Sequence, residues 1–148
     1  MATLKVKIEE SVLIENERYN NKRVVEIESI DEVFKRVVTC PASATTTLAV
    51  FNSAVSGADG AIDIEDSKYI RITNLASTSV ELAVVGAASL YHLKLASGHS
   101  HIIGSADAIM KGIASTSLSF GSTADLGSIK VNPGGSAANV EIFIASAG

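Results

Sequence analysis

The feature that most constrains this chain is a succession of short β-prone runs separated by turn residues, with little room between them for helices. Leu4, Val6 and Ile8 alternate with Lys5 and Lys7, the period-two pattern of a strand with one covered face. Val12-Leu13-Ile14 and residues 23–30 flank the polar stretch 15–22. Asn20-Asn21 within that stretch tolerates positive φ, so a hairpin turning at those asparagines is expected. Further runs follow at 46–51, 61–64, 67–75, 80–85, 90–95, 100–103, 118–120, 129–131 and 140–144. Asp59-Gly60 and Pro133-Gly134-Gly135 mark turns between them. In the run 67–75, Ile70 and Ile72 face one way, and Tyr69, Arg71 and Thr73 the other. About ten short strands at near-regular spacing predict an all-β chain, an antiparallel β-sandwich of jelly-roll-like form.

One segment fits two descriptions. Ile30, Val33, Phe34, Val37 and Val38 recur at helical spacing, and Ser29 with Glu32 has the form of a capping box. Three valines, Thr39 and the strand-rich surroundings fit a strand instead. Sequence leaves both open for residues 30–38.

At 148 residues the chain suits one domain, expected over 1–148, with 1–30 forming a charged strand or hairpin segment suited to docking. Residues 1–36 carry fifteen of the twenty-eight charged side chains; the following 112 residues carry thirteen. The amino terminus has no long apolar core, so no signal peptide is expected. No run of 18 apolar residues occurs, so no membrane span or membrane partner is expected. Synthesis in a cytoplasm is the simplest expectation. Cys40 is the sole cysteine, which excludes an intrachain disulfide and fits a small buried side chain.

Net charge is −4, giving no general footprint for nucleic acid. Lys5, Lys7, Arg18, Lys22, Arg23, Lys35 and Arg36 are interleaved with eight acids. Such mixed charge reads as a salt-bridged face or a partner-docking surface rather than a phosphate track.

Candidate chemistry is sparse. His99 and His101 lie two apart, so on a strand they share a face. If residues 90–95 pair with 100–103 across Ala96-Ser97-Gly98, His92 joins them as a weak zinc or copper site. No acidic residue nearby is placed to orient the rings, and polar residues on a hairpin face are the plainer reading. Asp59, Asp63, Glu65 and Asp66 cluster, but not at calcium-loop spacing. No phosphate loop and no Gly-x-Ser-x-Gly elbow is present. No enzymatic activity and no cofactor are therefore expected.

Beyond Arg36 the outer positions are small and neutral, as at Ser77-Thr78-Ser79, Ser115-Thr116-Ser117, Ser119, Ser122 and Thr123. A free-standing sheet usually blunts its edges with charge, whereas interface cores are depleted of it. A homo-oligomer, or packing against a larger wall, is the expectation.

The run Lys68-Tyr69-Ile70-Arg71-Ile72-Thr73-Asn74-Leu75, followed by Val80-Glu81-Leu82-Ala83-Val84, residues 93–98 and Ile102-Ile103-Gly104, resembles small β-sandwich virion proteins of tailed phages, especially marine and cyanobacterial ones. The stretch from Glu32 to Pro41 is similar to that group as well, and the resemblance spans roughly residues 25–145. It implies an accessory structural subunit located in the virion. That subunit would be a tail or neck ring component or a capsid decoration protein, contacting tail, portal or neck, or major capsid proteins. It carries no catalytic residues to transfer. A carbohydrate- or cell-surface-binding β-module is the alternative; such modules usually expose an aromatic platform, and this chain has no tryptophan.

Overall fold

A computed structural model describes residues 1–53, 60–86, 90–104 and 125–148. Among them lie eleven strands and no helix: β1 (Ala2–Ile14), β2 (Glu17–Ile30), β3 (Glu32–Cys40), β4 (Thr46–Asn52), β5 (Ile62–Asp63), β6 (Ser67–Asn74), β7 (Val80–Gly86), β8 (Leu90–Leu95), β9 (Ser100–Ile103), β10 (Leu126–Asn132) and β11 (Ala138–Ser146). The expected strand at 118–120, the serines and threonines at 115–123, and Asp59 fall outside the described residues.

Two sheets form the body, ordered β5-β4-β10-β7-β8 and β3-β11-β6-β9. Their pairings are nested. β7 pairs with β8, β6 with β9, β4 with β10 and β3 with β11, all antiparallel. That is one long eight-stranded hairpin, and rolling it adds β10–β7 and β11–β6. The result is the jelly-roll order, an all-β antiparallel sandwich as the alternation predicts. Short β5 joins parallel to β4 as an extra edge.

The core follows from the alternation. Ile70 and Ile72 of β6, Val80, Leu82 and Val84 of β7, Ile129 and Val131 of β10, and Val140, Ile142 and Ile144 of β11 are fully or almost fully buried between the sheets. Cys40 joins this cluster, and burial pushes its thiol pKa up. Like Ser67, Asn74 is a polar residue at 0% exposure. Its Nδ2 donates to the carbonyls of Thr78 (2.8 Å) and Leu95 (3.0 Å), and its Oδ1 accepts from the Ala76 amide at 3.0 Å. One side chain thereby ties the end of β6 to the turn before β7 and to the end of β8.

Residues 32–40 form a strand. β3 pairs with β11 residue for residue from Glu32–Ser146 to Cys40–Ala138. Phe34 and Val38 pack on the core while Val33 and Val37 are exposed, a period of two that divides the apparent helical stripe. Unbroken pairing with a central strand outweighs the local spacing, and β-branched residues favour the same outcome.

Candidate functional site

β1 and β2 form a separate two-stranded sheet, in register from Leu4–Ile27 to Ile14–Glu17. The turn is not at Asn20-Asn21. It is the two-residue loop Glu15-Asn16, with φ of 50° and 69°, the pair of left-handed residues of a type I′ turn. Asn20 and Asn21 sit within β2 instead. Ser11 Oγ donates to Asn20 Oδ1 at 2.8 Å, and Asn21 Nδ2 donates to Glu10 Oε2 at 3.3 Å. A further positive φ at Ser29 coincides with the register slip at the base of the hairpin.

The pairing sorts the hairpin into two faces. Leu4, Val6, Ile8, Glu10, Val12 and Ile14 share one with Ile27, Val25, Arg23, Asn21, Tyr19 and Glu17. Lys5, Lys7, Glu9, Ser11 and Leu13 share the other with Glu26, Val24, Lys22, Asn20 and Arg18. The second face is built on charge: Lys5 and Glu26 pair at 2.6 Å, and Glu9 stands opposite Lys22.

The first face is predominantly apolar, and only its base is covered. Leu4, Val6 and Ile27 pack with Ile30 on Tyr69, Phe143 and Ala145, on the outer face of the four-stranded sheet. Tyr69 and Phe143 meet edge to face, with centroids 6.1 Å apart. This explains why Tyr69 is buried although it alternates away from the core; that burial raises its pKa, and nearby Arg71 opposes the rise. A cleft of about 270 Å³ lined by Lys7, Ile8, Arg71, Ser100 and Ile102 shows the hairpin reaching the β9 border. Ile8 at that border, and Val12, Ile14 and Tyr19 beyond it, are exposed. The Tyr19 hydroxyl donates to Glu17 Oε2 at 2.7 Å, and this bond raises the phenol's pKa.

The seven cations expected to dock a partner do not form one patch. Lys5, Lys7, Lys22 and Arg18 share the charged hairpin face, while Arg23 lies on the apolar one. Lys35 projects from the outer face of β3, 3.6 Å from Glu141. Arg36 alternates to the opposite side, its guanidinium 5.7 Å from the Phe34 ring centre. The uncovered apolar stripe is the surface feature that reading by charge misses. Its signal is the continuation of the Leu4-Val6-Ile8 alternation through Val12 and Ile14 once the strand is read as unbroken.

The three histidines are not brought together. β8 and β9 do not pair; they border different sheets. His92 is exposed opposite Ala83, on the outer face of its own sheet. His99 is exposed in the connecting turn. His101 faces the gap between the sheets, with its Nε2 2.9 Å from the Tyr91 hydroxyl. Burial lowers the His101 pKa and raises that of Tyr91. Among the described residues no group of three His, Cys, Asp or Glu side chains is placed to hold a metal. Asp63 instead caps its own turn, its Oδ1 accepting from the Glu65 amide at 2.9 Å.

Among the described residues, the outer face of the five-stranded sheet carries Glu81, Lys94 and Lys130. On that face, Thr47, Lys130, Ala83 and His92 align across four strands, beside a second row of Val50, Ser128, Val85 and Leu90. Val50 and Leu90 are exposed.

No family model matches this chain, and no curated protein does. Among solved structures it is similar to a chain from work reporting that Bacillus endospore appendages form a novel family of disulfide-linked pili. That likeness has a TM-score of 0.40 at 7% identity and covers 78% of this chain and 89% of the other.

Proposed function

We propose that the chain is a non-enzymatic structural subunit of a tailed-phage virion, packed in an oligomeric array as a tail- or neck-associated ring component or a capsid decoration protein. It would be made in the host cytoplasm and reside in the particle, contacting copies of itself and tail, portal or coat proteins. The phage placement rests on the sequence resemblance of residues 25–145.

The single observation that carries the array reading is the projecting hairpin. Its apolar face runs on past the sandwich, leaving Val12, Ile14 and Tyr19 exposed, while its back is laced with opposite charges. An isolated two-stranded ribbon is marginal in water, and an apolar face without a cover marks an interaction surface. A sugar-binding reading has less support, because Tyr19 is the only exposed aromatic side chain among the described residues.

The test is immunogold labelling of particles released from lysing host cultures, beside light scattering of the purified chain. Label on tail, neck or shell and a concentration-dependent oligomer are expected. Unlabelled particles would overturn the virion role, and a monomer at high concentration would overturn the array.

A further inference from the structure

We infer that the overhanging hairpin of one copy lies on the β3 border of a second copy, setting Ile8, Glu10 and Val12 against Val33, Lys35 and Val37. This rests on the array reading and names the contact that would build it.

Each stripe is apolar–charged–apolar at alternate positions of a strand, so each spans about 13 Å at ~3.3 Å per residue. The apolar members are exposed to similar degrees: Ile8 46%, Val12 49%, Val33 53% and Val37 55%. The central charges are opposite. Glu10 stands opposite Asn21 and makes no ion pair within 4 Å among the described residues, although Arg23 lies one pair along on the same face. Lys35 shares one carboxylate, Glu141, with Arg71, which holds it more closely at 2.6 Å. Two cations on one anion leave this sheet face with a surplus positive charge.

Continuity fixes the side. Within one chain the hairpin's apolar face already packs on the outer face of β3-β11-β6-β9 and leaves it over the β9 border. Val33, Lys35 and Val37 line the opposite border of the same face. A neighbour set beside β9 in the same orientation brings its β3 border under the overhang, extending the packing already made. The recess formed by Glu32, Phe34, Asp63 and Asp66 is a poorer receiver, because Glu10 and Glu17 would meet carboxylates there. Joining two different patches, the contact is heterologous and propagates into a ring or a filament.

The test mixes two full-length variants, Val12→Cys and Val37→Cys, each also carrying Cys40→Ala. A bismaleimide of about 8 Å reach suits side chains on sheets packed ~10 Å apart. Covalent dimer is expected at least about fivefold above either variant alone. In parallel, Glu10→Lys or Lys35→Glu is expected to weaken self-association about tenfold, and the double variant to restore it, since like charges facing one another oppose docking. Oligomers that form without the mixed cross-link, or with Val12→Cys coupling only to itself, would overturn this contact and leave the array standing. A chain monomeric at every concentration would overturn both.

Discussion

The hydroxyl of Tyr91 and Nε2 of His101 meet at 2.9 Å across the gap between the two sheets, fastening border strand β8 to border strand β9. The rings also pack edge to face, 5.9 Å apart. The pair closes the sandwich on the side where the strands change sheets, and it places an ionisable ring in a poorly solvated gap.

Acid should therefore loosen this border. Burial sets the folded His101 pKa below the ordinary value of about 6.5. Above that value neither state is protonated and the imidazole imposes no penalty. As pH falls from there toward the folded pKa, the unfolded chain takes up the proton first, so stability is lost in that window. Urea midpoints at pH 7.5 and 5.5 should differ more for the wild type than for His101→Phe. An equal difference would show that His101 is not the group responsible.

Asn74 makes the second fastening. It satisfies two carbonyls and one amide from the β6–β7 turn and the end of β8 while fully buried. Asn74→Ala removes all three bonds, at a cost of about 2–4 kcal/mol. Chemical denaturation should show a lower midpoint with an unchanged slope. An effect below about 0.5 kcal/mol would mean that water replaces the amide.

The fold was legible where alternation is decided by the sandwich itself. Ile70 and Ile72, Val80 to Val84, and Val140 to Ile144 bury the residues that their period of two selects. It was illegible where a distant partner decides. β3 reads as helix or strand until β11, far along the chain, pairs with it. β8 and β9 look like a hairpin across Ala96-Ser97-Gly98, because neighbouring strands usually pair. Rolling the jelly roll instead sends them to different sheets, which separates His92 from His101. The hairpin's position was evident but its turn was not: the Asn20-Asn21 pair masks the single asparagine that, with Glu15, takes positive φ. The apolar stripe of the hairpin is written in the sequence. Alternation alone does not state whether its cover comes from the same chain.

The turn itself offers a gain. Glu15 carries a side chain at φ 50°, where glycine and asparagine fit best. Glu15→Asn with Asn16→Gly should stabilise the hairpin by about 0.5–1 kcal/mol. Hydrogen exchange of the β1 and β2 amides should slow several-fold, while exchange in β10 and β11 stays unchanged. Slowing in all strands alike would show that the hairpin does not open independently.

Cys40 should be silent in the folded protein. It is fully buried in the core and its thiol pKa is raised by that burial. An aromatic disulfide reagent at pH 8 should label it only at the rate of unfolding, and urea should accelerate labelling in step with loss of structure. Rapid labelling of the native chain would mean that the end of β3 opens locally.

Deletion of residues 1–22 separates the roles of the two parts. The eight strands of the rolled hairpin and the core cluster between them involve none of those residues. What is lost is the cover that Leu4 and Val6 give to Tyr69 and Phe143, and the pairing that holds Ile27 over them. At roughly 1–3 kcal/mol for each buried apolar side chain, and with these only partly covered, the truncated chain should be about 2–4 kcal/mol less stable but still folded. Its near-ultraviolet dichroism should persist with a changed tyrosine signal. Self-association should fall at least as far as in the Glu10→Lys variant, because the deletion takes away the whole donor stripe and leaves Val33, Lys35 and Val37 in place. Incorporation into particles should fall with it. Undiminished incorporation would assign docking to the sandwich faces rather than to the hairpin.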